Sequence, residues 1–334
     1  DGTAKLSLIH GTSNGGSVNT GLGPNGFYGR VDFIGPGNEL KINNQIYTLI
    51  KDLAGLEAIN SSITTLQGYY ALAKDIDLES KLYARSVIGE IRKFATNADT
   101  LKGYFEGSFD GLGHVVKNLK ISGTAREDSD DQFGFFGAAF GAKIRNVGIA
   151  SGKVEVLDIL GYEPSVGAGS LIGISAKSLI SNVYSAADVV LKSPNKDRYT
   201  LSFAGGLIAS ATSYGQDAIP SRLENAYFTG SVLSEASNVA IGGIVGVNFA
   251  GHVIKNSYTS SNVTITCLGA CNVSGATAYA GGVAGSNSGT INNAYTTGQT
   301  TLNISSLFSN GQRVASATAG GVVGENAGTI SNTY

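Results

Sequence analysis

Cys267 and Cys271 stand four residues apart in TCLGACN. A bent loop brings such a pair within disulfide reach in an exported protein, and free thiols are the alternative. A metal site needs more Cys or His nearby than this stretch supplies, so no metal or other cofactor is expected. Asp75 and Asp77 alternate with apolar residues in AKDIDL, which puts both on one strand face. Two carboxylates ~7 Å apart suit glycoside chemistry, although exposed strands often carry the same spacing. The run EDSDD (127–131) lacks the calcium-loop pattern and reads as a solvated turn. The histidines are His10, His114 and His252; with them no Ser-His-Asp order or HExxH motif is assembled. His114 in DGLGHVV and His252 in AGHVI read as equivalent corners of a repeat. No catalytic residue is assigned, and the chain is expected to be non-enzymatic. Asn60, Asn262, Asn272 and Asn303 begin sequons and are candidate glycan acceptors.

The elements that position these residues are repeats. A block of about sixteen residues recurs six times, most clearly as AGGVAGSNSGTINNAY (280–295) and AGGVVGENAGTISNTY (319–334). Its second glycine slot holds Gly134, Ser170, Gly206, Gly243, Gly282 and Gly321, at steps of 36, 36, 37, 39 and 39 residues. Near-constant spacing with divergent filler describes a stack of similar units. The second half of the block keeps Asn146, Asn182, Asn225, Asn256, Asn293 and Asn332 in phase. An aromatic residue follows two positions later at Tyr184, Tyr227, Tyr258, Tyr295 and Tyr334.

Within each unit the pattern is strand, turn, strand, turn, strand: AIGGIVGVNF (240–249) is short and β-branched, and VIKNSYTSSNVTIT (253–266) alternates at period two. Such a unit buries its apolar face only against its neighbours, in parallel and ~4.8 Å away. One coil per repeat in a parallel β-helix satisfies every backbone group. Helical repeats fail, because the pattern has no 3.6-residue period and each glycine costs ~1 kcal/mol in a helix. The glycine pair reads as a bend or close approach rather than a phosphate loop, since no helix follows it. The Asn column reads as a structural ladder, with a row of ligand contacts as the alternative. For the Tyr column the readings are stacking between coils or a carbohydrate platform.

Residues 1–104 depart from the period and read as N-terminal coils with irregular insertions, continuous with the repeat coil of 105–334. Strands are expected at 31–34, 39–42, 45–50 and 68–73. One short helix near 52–60 has Leu53, Leu56 and Ile59 on one face and Asp52 as N-cap. FEGSFDGLGHVVKNLKISG (105–123) resembles a seventh, degenerate coil with Asn118 in the ladder position. Forty-seven glycines, 14% charged residues, 42% hydrophobic residues and a net charge of −2 describe a β-rich, turn-rich chain rather than a disordered one. There is no basic stripe for nucleic acid and no apolar run of ~20 residues for membrane insertion. The absence of an initiator Met and the end on a repeat block read as a piece of a longer exported protein.

The succession GNELKINNQIYTLIKDL, GYYALAKDIDL, VIG (87–89), FEGSFDGLGHVVKNLKI, FGFFG…AKIRNVGI and the glycine blocks resembles filamentous-haemagglutinin-like exoproteins of two-partner secretion systems. The repeated block is similar to the GLUG motif. The resemblance implies a right-handed parallel β-helix, export through an outer-membrane transporter partner, and adhesion to a host receptor, a polysaccharide or other bacteria. It also allows glycosylation by a dedicated transferase. The family's secretion signature is represented only by PNG (24–26), which implies an internal piece.

Binding is expected where the period slips. Insertions at 191–200, 210–222, 267–279 and 305–318 must leave the coil at one corner, and stacked loops form a recognition surface. Arg198, Tyr214, Arg222 and Arg313 are the contact candidates because Arg and aromatic side chains dominate recognition energy, with Lys196 as a neighbouring charge. The alternatives to an adhesin are a polysaccharide-active β-helix enzyme and a passive spacer.

Overall fold

The computed structural model describes residues 3–10, 18–79, 81–90, 103–126, 131–159, 165–193, 201–212, 221–267, 276–304, 308–309, 312–313 and 315–334. Each repeat turns through four strands, not three. In the repeat of Gly243 these are Val239–Gly242, Val245–Asn248, His252–Thr259 and Val263–Cys267. Both runs that read as single strands break at a corner, because a period-two alternation resumes unchanged on the far side of a bend. The four strands lie on four faces, and each pairs in parallel with its counterpart in the next coil. The chain is an all-β parallel β-solenoid of about seven turns.

Register turns the sequence pattern into columns. Ile144, Ile180, Leu223, Ile254, Ile291 and Ile330 follow one another up the third face, and all but Ile330 are fully buried. Each such side chain contributes ~1.5–3 kcal/mol by leaving water. At the first-coil end the interior is filled by Phe105, Phe109, Phe133, Phe135 and Phe136.

The glycine pair is the bend between first and second faces, where coils approach so closely that a side chain meets the carbonyl of the next coil. A Cβ on Gly206 would lie 2.0 Å from the Gly243 carbonyl oxygen, one on Gly243 2.2 Å from that of Gly282, and one on Gly282 2.1 Å from that of Gly321. Ser170 occupies this slot in its coil and donates its hydroxyl to the Gly206 carbonyl.

The N-terminal region extends the third-face sheet. Glu39–Ile42 and Gln45–Ile50 form an antiparallel hairpin through Asn43 and Asn44, both at positive φ. Tyr69–Leu72 then runs parallel to Gln45–Ile50 on one side and to Ser108–Asp110 on the other. Between them lie α1 (Leu53–Glu57), a 3-10 turn (Ala58–Ser61) and α2 (Ile63–Leu66). Asp52 caps α1 by accepting from the Gly55 N–H at 2.8 Å, and Ser62 caps α2 in a capping box with Thr65. Leu56, Ile59 and Leu66 join the cluster of Ile50 and Phe105.

Two expectations are corrected here. Residues 31–34 form no strand: Val31 donates to the Leu112 carbonyl and Phe33 to that of Ala73, so the segment bridges two elements instead of pairing with one. Asn118 is not in the Asn column, because Asp110 pairs with Arg145 and Leu119 with Gly152, which puts Asn118 one corner later. The shared Asn misaligned the degenerate coil.

The bend has an internal control. Gly243→Ala is expected to cost ~2 kcal/mol or more, as overpacking against fixed backbone does. Gly321→Ala, with nothing within 4 Å of its Cβ, is expected to be near neutral. Urea unfolding midpoints of the two variants check this.

Candidate functional site

The third face bends at its asparagine. Asn146, Asn182, Asn225, Asn256, Asn293 and Asn332 all have φ between 50° and 54°, in the left-handed region. That conformation costs most residues ~1–2 kcal/mol, and Asn is among the few that visit it routinely. In-register stacking then brings the amides into line. Asn182 Nδ2 donates to Asn146 Oδ1 at 3.2 Å, Asn225 to Asn182 at 3.3 Å, Asn256 to Asn225 at 3.2 Å and Asn293 to Asn256 at 2.7 Å. The foot of the row is a carboxylate: Asn146 Nδ2 donates to Asp110 Oδ1 at 2.9 Å, and Arg145 Nε lies 2.7 Å from Asp110 Oδ2.

Two residues further on, Tyr184, Tyr227, Tyr258, Tyr295 and Tyr334 stack with centroids 4.9–5.2 Å apart and planes within 16°. Each such pair is worth ~0.5–1.5 kcal/mol beyond its buried area. Amides and phenols thus form one track parallel to the coil axis.

Residues 18–29 lie on its first part, with Leu22–Gly23 paired antiparallel to Gly26–Phe27. Asn146 Nδ2 donates to the Val18 carbonyl at 2.9 Å, Asn182 Nδ2 to Asn19 Oδ1 at 3.3 Å, and the Phe27 ring packs 5.6 Å from that of Tyr184. Burial follows this cover. Asn146, Asn182, Tyr184 and Tyr227 are buried; Asn225, Asn256, Tyr258 and Tyr295 are half-buried; Asn293 is exposed. Where the hairpin ends, Asn19, Leu22, Asn225, Tyr227, Asn256 and Tyr258 line a groove of about 340 Å³ with Asn182 on its floor. Burial raises the phenol pKa values of Tyr184, Tyr227 and Tyr258, so these hydroxyls stay protonated at neutral pH.

The acidic and histidine candidates serve the scaffold. Asp75 accepts from Lys117 Nζ at 2.9 Å and from the Val115 N–H at 3.2 Å, with His114 Nδ1 3.3 Å away. Burial pushes the Asp75 carboxyl up, but these bonds outweigh it and hold it below the usual carboxylate range. Asp77 accepts from Asn118 Nδ2 and from the Glu79 N–H, which lower its pKa. His114 and His252 do not share a corner: His252 pairs with Ser221 at the start of a third-face strand, whereas His114 precedes Val115, the partner of Gly148. Asp131, the described end of the acidic run, is buried between Arg85 and Arg126 at 2.8 and 2.7 Å, so it is no solvated turn.

A second amide row was missed, although its GVN, GSN and GEN triplets recur at the repeat step. Asn248 Nδ2 donates to Asn287 Oδ1, and Asn287 Nδ2 to Asn326 Oδ1, both at 2.7 Å. His252 Nδ1 lies 2.6 Å from Asn248 Oδ1, and burial lowers the His252 pKa to about 3.

Most loop candidates lie outside the described residues: Lys196, Arg198, Tyr214, Cys271 and the side chains of Cys267 and Arg313. Arg313 itself is in the short strand Gln312–Arg313. Arg222 is not in a loop. It sits in the third-face strand Ser221–Phe228, exposed, with its guanidinium 3.6 Å from Glu224. Nor do the insertions share one corner, since 213–220 follows a second-face strand whereas 194–200, 268–275 and 305–314 follow fourth-face strands. Of the sequons, Asn60 has its amide in use, donating to the Val87 carbonyl and accepting from the Gly89 N–H at 2.8 Å. Asn262 Oδ1 accepts from the Gln299 N–H, Asn303 is exposed, and Asn272 lies outside the described residues.

Fold and track together define a parallel β-solenoid built on asparagine ladders. Among solved structures the chain is similar to a candidate immunoglobulin A1 protease from Bacteroides ovatus: 23% identity, TM-score 0.58, 86% of this chain and 75% of that one. It is also similar to an IgA1 protease at 18% identity and TM-score 0.51, over 89% of this chain and 23% of that one. At these identities the likeness is one of fold. Among curated proteins, halomucin of Haloquadratum walsbyi is 28% identical over 134 residues, 40% of this chain and 1% of halomucin's length. No family model matches. The expectation of a non-enzymatic chain is corrected by these neighbours: both carry protease names, so this coil is one that is found in proteins named as enzymes.

Replacing Asn225 by Ala is expected to lose ~2–3 kcal/mol, from backbone strain and the broken ladder bonds. Asn225→Gly keeps the φ and is expected to lose ~1 kcal/mol less, as read by urea unfolding. His252 has a folded pKa of about 3 against an ordinary 6.5, so the unfolded chain takes up its proton first. Stability is therefore lost as pH falls through 6.5 toward 3, at up to ~1.4 kcal/mol per pH unit from this group. His252→Gln is expected to remove about one proton from the measured slope of stability against pH in that window.

Proposed function

We propose that this chain is the shaft of an exported surface protein and that the shaft itself is adhesive. The observation that carries this reading is the track: the same amides and phenols that the chain covers with its own hairpin at Asn146, Asn182 and Tyr184 are left uncovered by it at Asn256, Tyr258 and Asn293. A ladder needed only for stacking has no reason to be roofed in one half. The haemagglutinin-like order of motifs supports export through an outer-membrane partner and attachment to host cells, matrix polysaccharide or other bacteria. The protease and halomucin names of its relatives support an extracellular or surface setting, and no described helix is long and apolar enough to cross a membrane. The corner insertions at 194–200, 268–275 and 305–314 would add contacts beside the first and fourth faces.

A second reading is favoured by the fold neighbours. The matched region is 23% of the IgA1 protease, so in a protein of that kind the coil would be a shaft that presents substrate to a catalytic unit elsewhere. Under both readings the exposed track makes the contact.

Replacing residues 276–334 by coils of an unrelated β-solenoid of equal length separates an adhesive shaft from a spacer. Attachment of protein-coated beads to host cells and bacterial matrix is expected to fall about tenfold. Attachment at the original level would show that the shaft only spaces.

A further inference from the structure

We propose that the groove at the end of the hairpin binds a neutral oligosaccharide, which continues along the exposed amides and phenols. The proposal deepens the adhesive reading of the third face and rests on it.

The covered coils show what the track asks of an occupant. Each Asn side-chain nitrogen has two N–H groups. In Asn146 one bond runs along the row to Asp110 and the other goes to the Val18 carbonyl, both at 2.9 Å. In Asn182 one goes to Asn146 and the other to Asn19 Oδ1. Asn225, Asn256 and Asn293 make the bond along the row, and among the described residues no acceptor meets their second N–H. The groove therefore presents the unfilled donors of Asn225 and Asn256, beside phenols, at the spacing of the coils, and Asn293 continues the row beyond it.

That spacing decides between occupants. The tyrosine rings repeat at 4.9–5.2 Å. An extended peptide rises ~3.3 Å per residue, and its carbonyls on one side recur at about twice that, so it falls out of step. The hairpin keeps step only by offering a backbone carbonyl to one coil and an Asn side chain to the next. A sugar chain has hydroxyl and ring oxygens at nearly every position and meets a 5 Å row without such a device.

Charge narrows the class. Among the described residues the groove is lined by amides, phenols, Gly21, Ala226 and Leu22, with no charged side chain. A uronate or sulfated sugar would give up water there without a cation to replace it. Its volume of about 340 Å³ is at the low end for small-ligand sites, which suits the end of a chain rather than a globular ligand. The hairpin is the closed end, and beyond it the row continues uncovered through Asn256 to the exposed Asn293.

The test uses the full chain, labelled so that the asparagine side-chain amides are seen by NMR, with cello-, xylo- and chito-hexasaccharides as probes. Hexagalacturonate and a synthetic peptide of residues 18–28 serve as competitors. At least one neutral hexasaccharide is expected to shift the Asn225 and Asn256 amide signals. Asn256→Gly keeps the backbone conformation and Tyr258→Phe keeps the stack, and each is expected to weaken binding about tenfold with the coil intact by circular dichroism. The proposal is overturned if no neutral hexasaccharide shifts those signals, if both variants bind as the parent does, or if the peptide or the uronate binds more tightly. Bead attachment that persists without sugar binding rejects the ligand class and leaves the adhesive shaft standing.

Discussion

One backbone conformation, repeated at the same point of every coil, governs this molecule. Parallel strands in register require each turn to bend where the turn below it bends. On the third face that bend is a left-handed residue, and asparagine is tolerated there because its short amide compensates locally. Once each coil has an Asn at this place, stacking sets the amides within bonding distance, and the row in turn resists any slip of register. The glycine bends act alongside it through exclusion: a side chain there meets the carbonyl of the next coil. Attraction at one corner and close approach at another fix the coil.

The same geometry gives the molecule a surface that differs along its length. The chain's own hairpin satisfies the amides of Asn146 and Asn182 and leaves those of Asn256 and Asn293 uncovered. Scaffold and candidate binding track are therefore the same residues, and their roles separate by what lies over them. The charged clusters do not compete for this role. Asp75, Asp110 and Asp131 are each held by a lysine or arginine within the coil.

Much of this was legible in the sequence and the rest was hidden for physical reasons. The steps between Gly134 and Gly321 announce stacked coils, because a repeat that cannot bury its own face must bury it on its neighbour. The strands at 39–42 and 45–50 and the Asp52 cap follow from local pattern alone. The number of faces does not, since alternation continues across a corner. The backbone reason for the Asn column was missed because a ladder explained the same residues without it. The hairpin cover joins Val18 to Asn146 and Asn19 to Asn182, pairs separated by 128 and 163 positions, and no local pattern reports such contacts. Arg222 looked like a loop residue only because the insertion before it ends in Pro220 and Ser221, where the strand has already begun.

Hydrogen exchange of the asparagine side-chain amides tests the central claim most directly. If the bonded row holds the corner, the one Nδ2 proton of Asn182, Asn225 and Asn256 that lies along the row exchanges about a hundredfold or more slowly than either Nδ2 proton of Asn303, on its exposed strand. Exchange of all four at the same rate would contradict the account, because the row would then be an alignment of side chains and not a set of bonds.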